Sequence, residues 1–151
     1  MIKTGLIFII LAFIFPGCNG DRVKPSADSL LTTEAFSIIE SVREAYEEKN
    51  AYELKKNVSS LLADNIIKEL SFESADLSFT PRMVRITDTS VKVNLAWRGT
   101  WALPEDRNFE NRGVADLVLH RDTMKLTFIE GDNPFIALSE KTESIDPVFQ
   151  N

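Results

Sequence analysis

The sequence holds one cysteine, Cys18, and one histidine, His120. A single cysteine excludes an internal disulfide, and the two residues together cannot build a Cys/His zinc cluster. Positive charge is also scarce, with 17 Lys and Arg against 23 Asp and Glu, for a formal net charge of -6. Removing residues 1–17, whose only charge is Lys3, takes the remainder from -6 to -7. A surface of that sign repels phosphate backbones and anionic headgroups, so neither nucleic acid nor an electrostatic grip on membranes is expected. The chain also lacks a glycine-rich phosphate loop and calcium-loop spacing of its acidic residues. No cofactor and no metal are expected. Long hydrophobic runs are missing too. Leu6 to Phe15 is unbroken but only ten residues, against the ~20 that a spanning helix needs.

That short run, preceded by Lys3, reads as the apolar core of a secretory signal peptide. Directly after it stands Phe15-Pro16-Gly17-Cys18. This resembles the lipobox of bacterial lipoproteins, in which a small residue precedes the cysteine whose thiol receives diacylglycerol. Gly17 fits that pattern, whereas Phe15 and Pro16 depart from the usual Leu and Ala or Ser. The resemblance implies cleavage after residue 17 and lipidation of Cys18. Acyl chains on that thiol would hold the domain to a membrane, at ~0.8 kcal/mol per buried CH2. A secretory peptide cut at another site is the alternative. Asn19, where an Asp would resemble an inner-membrane retention signal, leans the address toward the outer membrane, facing the periplasm. Residues 18–29 then form the lipidated cysteine and a polar tether, 30–135 the folded domain and 136–151 a C-terminal tail. About a hundred residues suffice for a hydrophobic core without disulfides.

Within 30–135 the hydrophobic period changes once. Thr32 and Thr33 are N-cap candidates for a helix whose apolar stripe runs Phe36, Ile39, Val42, Tyr46, widened by Ala35, Ile38 and Ala45. Glu47-Glu48-Lys49-Asn50 is a plausible helix end. A second helix takes Tyr52, Leu54 and Val58, and a third Leu61, Leu62, Ile66, Ile67 and Leu70. From about Ser74 the period is two. Val91, Val93, Leu95 and Trp97 make one inward row. Ala115, Leu117 and Leu119 make another, and Leu126 and Phe128 a third. In the first strand Leu77 and Phe79 change parity with Val84 and Ile86, which predicts a bulge at Pro81. Asp88-Thr89 and Asp122-Thr123 are turn candidates, with Leu103 to Glu110 as a longer connection. Helices first and an antiparallel meander second define an α+β fold, with the helices covering one face of a four-stranded sheet.

The stretch Arg43-Glu44-Ala45-Tyr46-Glu47-Glu48-Lys49-Asn50-Ala51-Tyr52-Glu53-Leu54 is similar to the helix-turn-helix opening of the nuclear transport factor 2-like superfamily. Lys125-Leu126-Thr127-Phe128-Ile129-Glu130-Gly131-Asp132 resembles its closing hairpin. The resemblance spans roughly residues 31–135. It implies a cone, a curved sheet wrapped on helices around a cavity. The superfamily includes isomerases, cyclases and dehydratases, and many non-catalytic binding or dimerising domains.

Same-face residues must meet across strands, which fixes a trial register. Ile86 faces Val91 and Val84 faces Val93. Leu95 then pairs Leu119, Trp97 pairs Leu117 and Trp101 pairs Gly113. On the last hairpin Leu119 pairs Leu126, Leu117 pairs Phe128 and Ala115 pairs Glu130. In this register one end of the inner face carries Gly99, Gly113 and Ala115, flanked by Trp97, Trp101 and Glu130. Those three are the candidate ligand-binding residues, since small residues leave volume and a carboxylate beside indoles can orient a ligand. The bland alternative has Trp101 covering Gly113 and Glu130 ending its strand in water. His120 falls on the outer face near a turn, and no Ser-His-Asp set has support, so no catalytic residue is assigned. Arg98 and Asp116 fall opposite each other outside, as an exposed ion pair. Ala96, Val118 and Ile129 make a small apolar strip there, compatible with a homodimer.

The function expected is that of a membrane-tethered cell-envelope lipoprotein acting as a non-catalytic binding or interaction module. Its partner would be a small hydrophobic ligand or an envelope protein. The alternative is a small isomerase- or hydratase-like enzyme using an acidic residue, Glu130, in the cone cavity. A structural subunit of an envelope assembly is a third reading.

Overall fold

The computed structural model describes residues 25–136. The expected signal segment, Cys18, residues 19–24 and the expected tail beyond Ile136 lie outside the described residues. Three helices come first, α1 (Ala27–Glu47), α2 (Ala51–Asn57) and α3 (Ser60–Lys68). Four strands follow, β1 (Ser74–Ile86), β2 (Ser90–Leu103), β3 (Arg107–His120) and β4 (Leu126–Gly131). They form one antiparallel meander in the order β1-β2-β3-β4. This is the expected α+β fold, helices on one face of a curved sheet.

Helix α1 starts earlier than its apolar stripe does. Ser26 is its N-cap, and its side chain accepts from Ser29 N–H at 3.1 Å. Thr32 and Thr33 therefore lie inside the helix, and part of the expected tether is helical. Periodicity cannot reveal that extra turn, because Leu30 and its neighbours are exposed. Further along, Ala35, Ile39, Val42, Ala45 and Tyr46 are buried, the spacing of one helical face. The helix ends where expected, with Lys49 at φ 56 and Asn50 N–H returning to the Ala45 carbonyl at 2.7 Å. The Asn50 side chain then caps α2 through Glu53 N–H. In α2 and α3 it is Leu54, Ala63 and Ile66 that face the core, while Tyr52 and Leu61 point to solvent.

Helix α1 is keyed to the edge strand β1 by one carboxylate. Glu47 Oε1 accepts the Leu77 N–H at 2.6 Å, and its Oε2 accepts Arg43 at 2.6 Å. An edge N–H that would otherwise be open is thus satisfied from the helix. The first hairpin has the predicted register, Ile86 opposite Val91 and Val84 opposite Val93, with the bulge between Pro81 and Met83.

The second connection is tighter than expected. Leu103 pairs Arg107 across Pro104-Glu105-Asp106, and Glu105 and Asp106 both adopt positive φ, 66 and 55. Neither is the glycine or asparagine that advertises such a turn. A longer loop was expected, so the β2–β3 register moves by four positions. Leu95 pairs Ala115, Trp97 pairs Gly113 and Trp101 pairs Phe109. A four-residue shift preserves parity, so the inward rows stay inward.

In the last hairpin the error is one residue, and its consequences are larger. Leu119 pairs Leu126 as expected, but a bulge between Val118 and Leu119 places Val118 opposite Phe128 and Leu117 opposite Ile129. Parity flips from there on. Ile129 is buried and Phe128 is exposed, the reverse of the expected arrangement. The outer apolar strip accordingly has Phe128 in place of Ile129.

Candidate functional site

Glu130 follows the flipped parity outward. Its partner is Asp116 and not Ala115, and its Oε2 accepts a hydrogen bond from Lys92 Nζ at 2.6 Å. Lys92 also lies 3.6 Å from Asp116, whose Oδ1 takes the Asn94 amide at 2.6 Å. The hydrogen bond that Lys92 donates to Glu130 raises its ammonium above its ordinary value. Glu130 is therefore a member of an outer-face charge cluster, remote from the cone interior. Asp116 belongs to the same cluster. It does not pair with Arg98, whose cross-strand partner is Arg112.

Trp97 and Trp101 do face inward, and both indole N–H groups are spent on the protein itself. Trp101 Nε1 donates to the Tyr46 hydroxyl at 3.0 Å. Trp97 Nε1 donates to the Asp132 carbonyl at 2.7 Å. The volume beside the glycines is filled. A Cβ on Gly99 would lie 2.3 Å from the Trp101 ring, so this indole covers Gly99 and not Gly113. Gly113 is covered by Asp132 instead, whose Cβ would be 2.4 Å from an added one. Asp132 also clamps the free edge of β3. Its carboxylate accepts Val114 N–H and its own N–H donates to the Val114 carbonyl, both at 3.0 Å. Trp97, Trp101 and Glu130 thus do not converge on a common space.

The rest of the cone is closed by aromatic residues, among which Phe72, Phe109 and Phe135 stand outside the apolar pattern of the sequence. Tyr46 packs at 5.0 Å from Phe72 and 5.2 Å from Phe135, and Phe135 sits edge-on to Phe79 at 6.0 Å. Trp101 lies 5.3 Å from Phe109 and 6.4 Å from Trp97. Phe135 follows β4 and is fully buried, turned inward by Asn133, whose side chain accepts its N–H at 2.9 Å. The Asn133-Pro134 pair just ahead of an aromatic was the available signal. Burial above all holds the Tyr46 phenol well above the usual tyrosine range, with Trp101 as a weaker opposing influence. It remains neutral at physiological pH. Among the described residues, the other buried polar side chains are those of Asn57 and Asn133.

One opening reaches the space between α1 and the inner sheet face. It is a cleft of about 210 Å³, lined by Phe36, Ile39, Phe79, Val93 and Leu95, beside the β1 bulge at Pro81. Glu40 is the carboxylate in that lining. The hydrogen bond from Arg43, at 3.0 Å from Nε, holds Glu40 below the usual carboxylate range. An ionised, arginine-bound carboxylate is a poor proton acceptor. The cleft is thus an apolar recess with a fixed negative charge, sized for a ring or a short alkyl group.

His120 is exposed, with Nδ1 3.4 Å from the Thr123 hydroxyl. Among the described residues no three His, Cys, Asp or Glu side chains are grouped to hold a metal ion. No helix in that range is long and apolar enough to cross a membrane.

No family profile and no curated protein matches the sequence. Solved structures do match in shape. A nuclear transport factor 2-like superfamily protein from Salmonella enterica serovar Typhimurium superimposes at a TM-score of 0.63. The identity is 13%, over 72% of this chain and 94% of that one. A chain titled Rd1NTF2_05 matches at 0.49 and 12% identity, over 67% of this chain and 98% of its own. TsrD from Streptomyces laurentii matches at 0.41 and 13%, over 66% and 89%. Three helices against a four-stranded meander, with the Salmonella protein as its match, identify the fold as nuclear transport factor 2-like.

Proposed function

We propose that the chain is a membrane-tethered cell-envelope lipoprotein whose domain binds a small apolar group without transforming it. The observation that supports binding over catalysis is the chemistry of the interior. The cone is filled by Tyr46, Phe72, Trp101 and Phe135, and among the described residues its one buried ionisable group is the neutral Tyr46 phenol. The cleft between Phe36 and Leu95 offers apolar surface and a carboxylate already bound to arginine. An isomerase or hydratase needs a base that can change its protonation state near its substrate. Glu130 lies on the other face of the sheet, and Glu40 is held in its ionised form. The fold itself is compatible with either activity.

The tether rests on sequence, on the short apolar run and on Phe15-Pro16-Gly17-Cys18 ahead of a polar stretch. Asn19 at the following position leans the address to the outer membrane, facing the periplasm. The anchor would keep the domain at a lipid surface, where alkyl groups are the abundant apolar ligands.

Two measurements test the two halves separately. Intact mass of the membrane-extracted protein should show loss of residues 1–17 and a gain of diacylglycerol and acyl mass, both abolished by Cys18→Ser. An unmodified chain cut elsewhere would end the tether. For the cleft, a fluorescent alkyl-naphthylamine probe should bind the wild type and bind Phe36→Asp at least about tenfold more weakly, a difference of ~1.4 kcal/mol. Equal affinity in both would end the cleft as the binding site.

A further inference from the structure

We propose that the outer face of the sheet binds a single phosphate group between Arg98 and Arg112. The two residues are direct cross-strand partners on β2 and β3, so both guanidinium groups leave the sheet on the same side. Their Cβ atoms are ~5 Å apart by strand geometry, and like charges so placed destabilise a sheet. Neither guanidinium makes a hydrogen bond or ion pair with any described residue. A second cross-strand pair of cations, Arg85 opposite Lys92, provides the contrast. There Lys92 is compensated by Glu130 at 2.6 Å and Asp116 at 3.6 Å. At Arg98 and Arg112 the molecule leaves two positive charges together in a chain of net charge -6.

The arginines also shape the surface. Two adjoining hollows, of about 390 and 280 Å³, share both of them in their linings. Asn111 also lines the larger one, at the β3 edge, where its Oδ1 accepts the Arg112 N–H at 2.9 Å. Ser78 and Thr80 bring hydroxyl groups to the smaller. Edge protection explains only half of this. Arg112 lies on the part of β3 beyond β4, which covers Ala115 to Leu119, and a charge there discourages strand pairing. Arg98 lies on β2, hydrogen-bonded between β1 and β3, where no edge needs blocking.

Charge and geometry favour phosphate over carboxylate. Two guanidinium forks present ten N–H donors, and one fork already satisfies a carboxylate. A phosphate monoester carries ≈ -1.5 to -2 and three acceptor oxygens, matching two cations. Glu110, two residues along β3 from Arg112 on the same face, shares the larger hollow. Its carboxylate bars a polyphosphate or nucleic-acid backbone, so one phosphate group fits and a chain of them does not. The site is on the face opposite the apolar cleft, so it stands or falls independently of ligand binding there.

A soluble phosphate monoester and a lipid headgroup present the same chemistry, and titration separates them. Thermal unfolding of the purified protein is followed at constant ionic strength with inorganic phosphate, glycerol phosphate or monomeric dihexanoyl phosphatidic acid. Phosphate should raise the wild-type Tm, and Arg98→Gln or Arg112→Gln should each weaken binding about tenfold. Each variant should also have a higher Tm than wild type without phosphate, because it removes the repulsion. Arg98→Lys, which keeps charge but loses the fork, should retain an intermediate response. Tighter arginine-dependent binding of the phosphatidic acid than of glycerol phosphate assigns a headgroup, and equal binding assigns a soluble ester. The proposal is overturned if none of the three ligands shifts Tm in an arginine-dependent way. It is equally overturned if the glutamine variants lower the phosphate-free Tm or change the oligomeric state, since the pair would then serve packing or an interface.

Discussion

The two faces of this one sheet are built on opposite rules. On the inner face the buried polar side chains of the described residues are answered within the molecule. Trp101 donates to Tyr46, Trp97 to the Asp132 carbonyl, and no buried side-chain nitrogen or oxygen of the described residues lacks a partner. On the outer face compensation is local and incomplete, full at Lys92 and missing at Arg98 and Arg112. Burial explains the difference. An unpaired polar group in a dry interior costs ~1–3 kcal/mol, so folding itself demands that the inner face be complete. Water answers an exposed guanidinium at little cost, so stability places no such demand outside. Unpaired charge on the outer face is therefore free to serve recognition, whereas the inner aromatics are committed to the fold.

The largest break in that contrast should come from Trp101→Ala. Trp101 is fully buried, covers Gly99 and holds the Tyr46 hydroxyl. Removing it leaves a cavity and an unpaired phenol, and ~3–5 kcal/mol of unfolding free energy should be lost in urea titrations. A loss under ~1 kcal/mol would mean that the cone interior is not close-packed around this indole. Such a result would restore the open cavity that Gly99 and Gly113 suggest from sequence.

Those glycines mark what could and could not be read without coordinates. Element types, the β1 bulge and the first hairpin followed from period and from Pro81, because each depends on residues close in the chain. At the glycine-rich end the small residues predict open volume, and the structure fills it with Trp101 and Asp132. Which neighbour supplies the bulk is a question of register, and register hung on two turns with weak chemistry. Glu105 and Asp106 at positive φ shortened one connection without a glycine to announce it. An added residue in β4, around Thr127, reverses the next four paired positions, Phe128 to Gly131, and carries Glu130 out of the cone. Thr127 Oγ1 donates to the Val118 carbonyl at 3.0 Å beside that bulge, a contact invisible to alternation. Phe135 escaped notice because it belongs to no periodic segment. The candidate site was therefore legible as a set of inward tryptophans, and illegible as an arrangement around an acid.

A smaller effect, on the inner face alone, is expected from Tyr46→Phe. The ring stays against Phe72 and Phe135, so only the hydrogen bond from Trp101 is lost, at ~1–3 kcal/mol. The same variant carries a pH signature. Burial raises the Tyr46 phenol in the folded protein above the ordinary value of about 10. Below that pH both states keep the proton and stability is unaffected. Above it the unfolded chain loses the proton while the folded one retains it, so wild-type stability should fall as pH rises past ~10. Tyr46→Phe should show a shallower alkaline limb. Identical limbs would mean that another group governs alkaline unfolding.

The smallest expected effect lies outside, at Glu130→Ala. Half of the Glu130 side chain is exposed, and Lys92 keeps Asp116 at 3.6 Å when Glu130 is gone. Chemical denaturation should therefore fail to separate the variant from wild type. The substitution still alters the electrostatics of the outer face, because it removes one of two anions beside Lys92 and brings that end closer to the uncompensated state at Arg98 and Arg112. If missing compensation is enough to make an anion site, Glu130→Ala should gain phosphate binding that depends on Lys92. If the forked, donor-rich geometry at the arginines is also required, phosphate titration of Glu130→Ala should match wild type, and binding should be weakened as in Arg98→Gln when that substitution is added. The second outcome is expected, since a lysine is a single point charge without the fork that two arginines direct at one oxyanion. A large stability loss in Glu130→Ala would instead place this carboxylate back among the groups that hold the cone together.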